Sequence, residues 1–294
     1  MIRGLTSDSV SVMRLLSRLF DPTVVISGSH TPQWNEALGP ASTVWSGVRG
    51  VHRVIVDPAA SGDFLTGRTN AKRFIVIPLL EKHAKLCPRQ CRTATPSLTA
   101  IEFFENKLRF AQYSRRHGLL DYTPVVFDRE CEVIYPCVIK RTDLNGSVGV
   151  RVIQSSEQLR VVEHEEPWRG EQHILQEYVA APLEYTAHLF VKNGSVLWNA
   201  VYSYQSTQLS VRRVGSPFTR ARLGAQEIQI IEQFLKPVSY TGPCNVDYIL
   251  REDGRLAILE INPRLGGSLM RADNLSDLTM LVQHIVDHAA VRPQ

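Results

Sequence analysis

The segment Asn245-Val246-Asp247-Tyr248-Ile249-Leu250, then Arg251-Glu252-Asp253-Gly254-Arg255, then Leu256-Ala257-Ile258-Leu259-Glu260-Ile261-Asn262-Pro263-Arg264-Leu265-Gly266-Gly267-Ser268 decides how the rest of the chain reads. Strand-like residues flank Asp253-Gly254, a dipeptide suited to the positive torsions of a two-residue hairpin turn. With that turn, Asp247 falls opposite Glu260 and Asn245 opposite Asn262. Residues two apart share a strand face. The four polar groups then gather on one side, while Val246, Tyr248, Leu259 and Ile261 turn to the other. Opposed Cβ atoms stand about 5 Å apart, so the two carboxylates repel each other unless water or a cation intervenes. Two carboxylates and an amide oxygen are hard ligands of the kind that hold Mg2+ together with phosphates and water. The hairpin alone fits a wetted outer sheet face equally well.

Composition removes several alternatives. The 294 residues are 44% hydrophobic and 21% charged, and the net charge of +4 is spread along the chain, which gives no nucleic-acid footprint. No uncharged apolar run approaches the roughly 20 residues that cross a bilayer. Arg3, Asp8, Arg14 and Arg18 interrupt what would have to be a secretory core, so the first twenty residues are expected to form an amphipathic helix. Five cysteines, none in a C-x-x-C pair, point to a reduced chain in a cytoplasmic setting with no zinc ribbon.

Short apolar runs at 23–26, 52–56 and 74–77, each ending in turn residues, predict buried parallel strands in an α/β arrangement. No glycine-rich dinucleotide fingerprint follows the first of them. Ser97 and Asn106 are candidate helix caps, and Gly118 suits the end of the second helix. Strands are predicted at 138–140 and 150–153 around the loop Asn145-Gly146-Ser147-Val148-Gly149, and another at 173–179. A long hairpin is expected over 185–204 about Asn193-Gly194, with helices over 225–235 and 277–290.

Asp247, then Glu260-x-Asn262-Pro263-Arg264 with Gly266-Gly267-Ser268 behind it, resembles the magnesium-binding signature of the ATP-grasp superfamily, and upstream features follow in the family's order. The resemblance runs from about residue 106 to the C-terminus. More loosely, the first third resembles the α/β domain that precedes the ATP-grasp domain. The fold class this implies is α/β, in detail the α+β ATP-grasp fold: a mostly parallel N-terminal α/β domain over 1–95, central helices and a lid subdomain over 96–178, and a C-terminal subdomain over 179–294, with ATP sandwiched between the two α+β subdomains.

Carried over position by position, the resemblance places Lys107 and Lys140 at the nucleotide, the loop residues Gly146, Ser147 and Gly149 over its phosphates, the Glu177 carboxylate and Val179 backbone at the adenine edge, and Glu184 at the ribose. Asp247, Glu260 and Asn262 would hold Mg2+, as two ions, with Mn2+ an alternative metal. Arg264 would brace the transferring phosphoryl, with Gly267 and Ser268 presenting donors beside it. His188 departs from the family, which often has an acidic residue near that position. The reaction implied is ATP-dependent joining of a carboxylate, an amino acid or peptide-like acid, to an amine through an acyl phosphate, releasing ADP and phosphate. A kinase and a non-catalytic nucleotide-binding regulator are the alternatives. Arg212, Arg213, Arg222 and Arg271 are candidate clamps for a substrate carboxylate. The expected partners are small-molecule acid and amine substrates, with neither nucleic acid nor membrane; self-association as a homodimer is left open.

Overall fold

The computed structural model describes residues 22–66, 70–144, 147–206, 209 and 215–291. The helix expected over the first twenty residues, Gly146 of the loop, and Arg212 and Arg213 lie outside them. The chain divides into two units, one formed by the residues through Thr95 together with those from Arg264 onward, the other by Pro96–Pro263.

In the first unit, β1 (Thr23–Ser27) lies parallel to both β2 (Arg53–Asp57) and β3 (Phe74–Pro78), and β3 continues in parallel to β4 (Arg92–Thr93). β1 and β3 are buried almost throughout, as their continuous apolar runs require. β2 differs from expectation. It is the edge of the sheet, and its Val56 is 44% exposed. Short helices α1 (Pro32–Leu38), α2 (Val44–Gly47) and α3 (Glu81–Leu86) follow the strands. A terminal helix, Leu275–His288, buries Leu278, Leu281, Val282, Ile285 and Val286, the stripe that a 3.6-residue period puts on one side. Its successor Ala290–Val291 pairs antiparallel with β4. These contacts place the described residues from Arg264 to Val291 with the first sheet, whereas the resemblance grouped them with 179–294. Cys87 and Cys91 are buried in this unit's core.

The second unit opens with α4 (Leu98–Phe104) and α5 (Lys107–Arg116). Ser97 Oγ accepts the Ala100 N–H, Asn106 Oδ1 accepts those of Leu108 and Arg109, and Gly118 follows α5 at φ +68°, so the predicted caps act as such. A four-stranded antiparallel sheet comes next, in the order β5 (Val126–Phe127), β8 (His173–Glu177), β6 (Cys137–Arg141), β7 (Val150–Ile153). Helix α6 (Ser156–Val162) closes its core around Cys137, Ile139, Ile153 and Trp168.

A five-stranded sheet completes the unit, in the order β11 (Thr219–Ala221), β10 (Ser195–Gln205), β9 (Leu183–Lys192), β12 (Gly242–Leu250), β13 (Leu256–Asn262). The β9–β10 turn is the predicted Asn193-Gly194, both at positive φ. One face of this sheet packs Ala187, Val246, Ile258 and Ile261 against α7 (Ala225–Leu235), whose Ile231, Phe234 and Leu235 are fully buried.

The β12–β13 turn corrects the sequence reading. Leu250 pairs with Leu256 and Arg251 N–H donates to the Arg255 carbonyl, so the loop holds three residues rather than two. A register shift then falls between Asp247 and Tyr248, leaving Leu259 as the extra residue of a bulge. The two offsets cancel. Asp247 therefore does face Glu260, and Asn245 faces Asn262. Leu259, expected on the core face, turns instead toward the polar face, and Ile258 takes its place in the core.

Candidate active site

Register across three strands builds the polar face. Thr186 of β9 lies opposite Asp247, which lies opposite Glu260; one row further, His188 lies opposite Asn245, which lies opposite Asn262. Thr186 Oγ1 donates to Asp247 Oδ1, Asn245 Nδ2 to Asp247 Oδ2 at 3.4 Å, and Asn262 Nδ2 to Glu260 Oε1 at 3.0 Å. Asp247 and both asparagines are buried, and Glu260 is half-buried. Among the described residues no three His, Cys, Asp or Glu side chains form a metal-binding group; this donor set is two carboxylates with amides.

The lid sheet contributes the opposite wall. Alternation sends Cys137, Ile139 and Ile153 into the lid core and turns Val138, Lys140, Val150 and Val152 the other way, into one cleft with Ile249 and Leu259 of the hairpin. Lys107 from α5 enters the same cleft. Its Nζ donates to the Leu144 carbonyl at 2.5 Å and stands 3.7 Å from Glu260 Oε2. Lys140 is buried, and that burial pulls its pKa down to about 8, against the upward pull of Glu260, Glu184 and Asp247. Burial pushes the Glu260 carboxyl up, but Lys107, the Asn262 amide and Lys140 outweigh it and hold the group well below the usual carboxylate range.

The cleft thus gathers Lys107, Lys140, Ser147, Glu177, Val179, Glu184, Asp247 and Glu260 from the sequence-derived set. Ser147 is at φ +65°. Gly149 is at φ +69°, and a Cβ there would meet Arg141 side-chain carbons at 2.8 Å, so the loop's return past β6 calls for glycine. Glu177 departs from the role the resemblance gave it. Its carboxylate, expected at a base edge, accepts Arg251 Nη1 at 2.6 Å and Nη2 at 2.9 Å, and the Val125 N–H at 3.0 Å. A guanidinium fork engages both carboxylate oxygens at once, which is why this acid is tied down while Glu260 is not.

Arg264, Gly267 and Ser268 belong to the first unit. There Arg264 Nε lies 3.0 Å from Glu81 Oε1 and Nη1 donates to the Leu265 carbonyl at 2.9 Å, Gly267 faces the Trp34 ring, and the Ser268 carbonyl accepts from Asn274 Nδ2 at 2.8 Å. His188 is fully buried, its ring 5.5 Å from that of Tyr202. Arg222 is exposed and Arg271 half-buried. Thr186, Gln176 and Arg251 are site residues that the sequence reading missed. Thr186 and Arg251 find their carboxylates 61 and 74 positions away, a relation that appears only once the strands are paired.

An ATP-grasp domain model matches residues 104–268, more than half of the chain. This chain belongs to the ATP-grasp family. The ATP-grasp match spans every residue of the cleft described above and extends through Ser268. No curated protein sequence matches the chain. Among solved structures, the L-amino acid ligase of Bacillus licheniformis is 15% identical, with 92% of this chain and 77% of that one covered at a TM-score of 0.60. The D-alanine–D-alanine ligase of Bacillus anthracis complexed with ATP is 14% identical, with 90% and 96% covered and a TM-score of 0.64. The phosphoribosylamine–glycine ligase of Thermotoga maritima is 15% identical, with 92% and 77% covered at 0.64. At these identities the likeness shows the ATP-grasp fold. Among the described residues no helix is long and apolar enough to cross a membrane.

Proposed function

We propose that the protein is an ATP-dependent, ADP-forming ligase that joins a carboxylate, an amino acid or peptide-like acid, to an amine through an acyl phosphate. The observation that carries this reading is the cleft in which two opposed carboxylates with asparagine amides meet two buried lysines beside an apolar slot. Val138, Val150, Val152, Ile249 and Leu259 make that slot, suited to a flat base. Lys107 and Lys140 suit a polyphosphate as point cations. Val179 would present its backbone to the base, Glu184 would accept from the ribose hydroxyls, and Ser147 with Gly149 would supply loop N–H donors.

The donor set fits Mg2+. Asn245 Oδ1 is a buried acceptor with no hydrogen-bond partner, beside Asp247, and hard oxygens are what this cation takes. Asp247, Glu260 and Asn262 would hold it. Bound there, Mg2+ would neutralise charge on the ATP phosphates. In the reaction, a substrate carboxylate oxygen attacks the γ-phosphorus and the bond to the β-phosphate oxygen breaks, giving ADP and an acyl phosphate; the amine then displaces phosphate. No protein nucleophile is needed. Lysine cations and loop donors stabilise the charge that spreads over the phosphoryl oxygens, and Arg264, Gly267 and Ser268 are assigned to the catalytic set.

Two measurements test this. Mg·ATP at millimolar concentration should raise the melting temperature through binding linkage, and no shift in a folded protein sinks the nucleotide site. An ADP-release screen with paired amino acids and small carboxylates should give turnover only when acid and amine are both present. ADP formed with a single acceptor and a stable phosphorylated product would make the protein a phosphotransferase instead.

A further inference from the structure

Glu177 ends lid strand β8 and starts the linker to β9, and its carboxylate is spoken for. Arg251 grips both oxygens, and the Val125 N–H donates to one of them. The same guanidinium reaches the Thr123 carbonyl at 3.3 Å, and the Glu177 N–H donates to the Val125 carbonyl at 2.7 Å. Arg251 is itself fixed at the base of the hairpin turn, its N–H donating to the Arg255 carbonyl and its carbonyl accepting the Gly254 N–H, both at 2.8 Å. One side chain therefore ties together the entry to the lid, the linker and the end of the hairpin. Both partners are largely shielded, at 19% and 30% side-chain exposure, where a bidentate charged pair fixes geometry better than a wetted one.

We propose that Arg251 is a positioning residue for base recognition: by gripping both oxygens of the Glu177 carboxylate it turns that group away from the base and sets the linker backbone, through Val179, as the edge the adenine meets. Adenine offers one amino donor and one ring acceptor, and a backbone carbonyl with a backbone N–H is their complement. Such a pair discriminates only while the linker is held still. Discrimination between bases then depends on a side chain that touches no base. The inference rests on the nucleotide reading of the cleft given above.

Calorimetric titration with Mg·ATP and Mg·ITP, in which a carbonyl replaces the amino group, separates the two ideas. Wild-type protein should prefer ATP by roughly tenfold or more, the scale of one well-placed hydrogen bond. Arg251→Ala should weaken ATP about tenfold and ITP much less, so the preference collapses, and Arg251→Lys, which keeps the charge without the fork, should restore part of it. Glu177→Gln should act in the same direction, and the double variant should be no worse than Arg251→Ala, because both break one device. If wild-type protein binds neither nucleotide, the reading of the cleft fails. If it binds both and Arg251→Ala lowers the melting temperature with the ATP:ITP preference intact, Arg251 is structural only and the proposal is overturned. Additive losses in the double variant overturn it too, since they would put the Glu177 carboxylate on the base directly.

Discussion

Near its turn the β12–β13 hairpin offers Arg251, whose terminal nitrogens lie 2.6 and 2.9 Å from the two oxygens of Glu177, while at its far end Glu260 stands 3.7 Å from Lys107 and shares Asn262 and Asp247 as neighbours. Both acids are held below the usual carboxylate range, Glu177 chiefly by its bonds to Arg251, Glu260 by lysines and an amide acting against burial. The means differ, and so does what is left over. A guanidinium fork occupies one lone pair on each carboxylate oxygen, and the Val125 N–H takes a third at Glu177. An ammonium at longer range balances the charge and leaves oxygens able to take a further cation. Low carboxyl pKa values thus mark a closed clamp at one end of the hairpin and an open donor set at the other.

The largest expected effect breaks the open end. Glu260→Gln should lower ADP-forming turnover by roughly 10²-fold or more, the scale of losing a group that stabilises developing charge. It should also lower the melting temperature of the ligand-free protein, because Lys107 and Lys140 lose a facing carboxylate. Unchanged turnover with a raised melting temperature would mean that the opposed pair is only a repulsive sheet face.

Arg264→Ala comes next. Turnover at saturation should fall roughly 10²-fold with ATP affinity changed much less, as for a group whose interaction strengthens in the transition state. The ion pair with Glu81 also ties this arginine into its own unit, so melting temperature belongs in the same experiment. Normal turnover beside a collapsed ATP affinity would make Arg264 a ground-state anchor.

How far the sequence reached follows from the range of each interaction. Caps at Ser97 and Asn106, the Asn193-Gly194 turn and helix 225–235 rest on residues a few positions apart, and they stand as expected. The Asp247–Glu260 pairing was reached through a turn one residue too short, rescued by the bulge at Leu259. Its only trace in the sequence is the apolar run Ala257-Ile258-Leu259, which breaks alternation where the extra residue sits. The Arg251–Glu177 clamp left no trace, since Arg251 merely follows an ordinary strand and Glu177 ends another, and only the meeting of two sheets brings them together. The edge position of β2 was hidden for a related reason: Arg53–Asp57 is as apolar at its centre as the buried strands, and burial depends on which neighbours pair.

The smallest effect sharpens the comparison from the cation's side. Burial holds Lys140 at about 8 in the folded protein against 10.5 for an ordinary lysine. Between those values the unfolded chain binds the proton that the native state has lost, so this group's contribution to stability rises as pH climbs from about 8 to about 10.5. Nucleotide affinity should run the other way, because the phosphates need the charged form. From pH 7 to pH 9 the charged fraction of a group titrating near 8 falls about tenfold, and the ATP-induced rise in melting temperature should shrink accordingly. Lys140→Arg, which stays charged throughout, should keep that rise constant over the same range. Lys140→Met should raise the melting temperature of the ligand-free protein by removing a buried charge, while losing most of the ATP response. A wild-type ATP response that is flat from pH 7 to pH 9 would mean that Lys140 does not meet the phosphates.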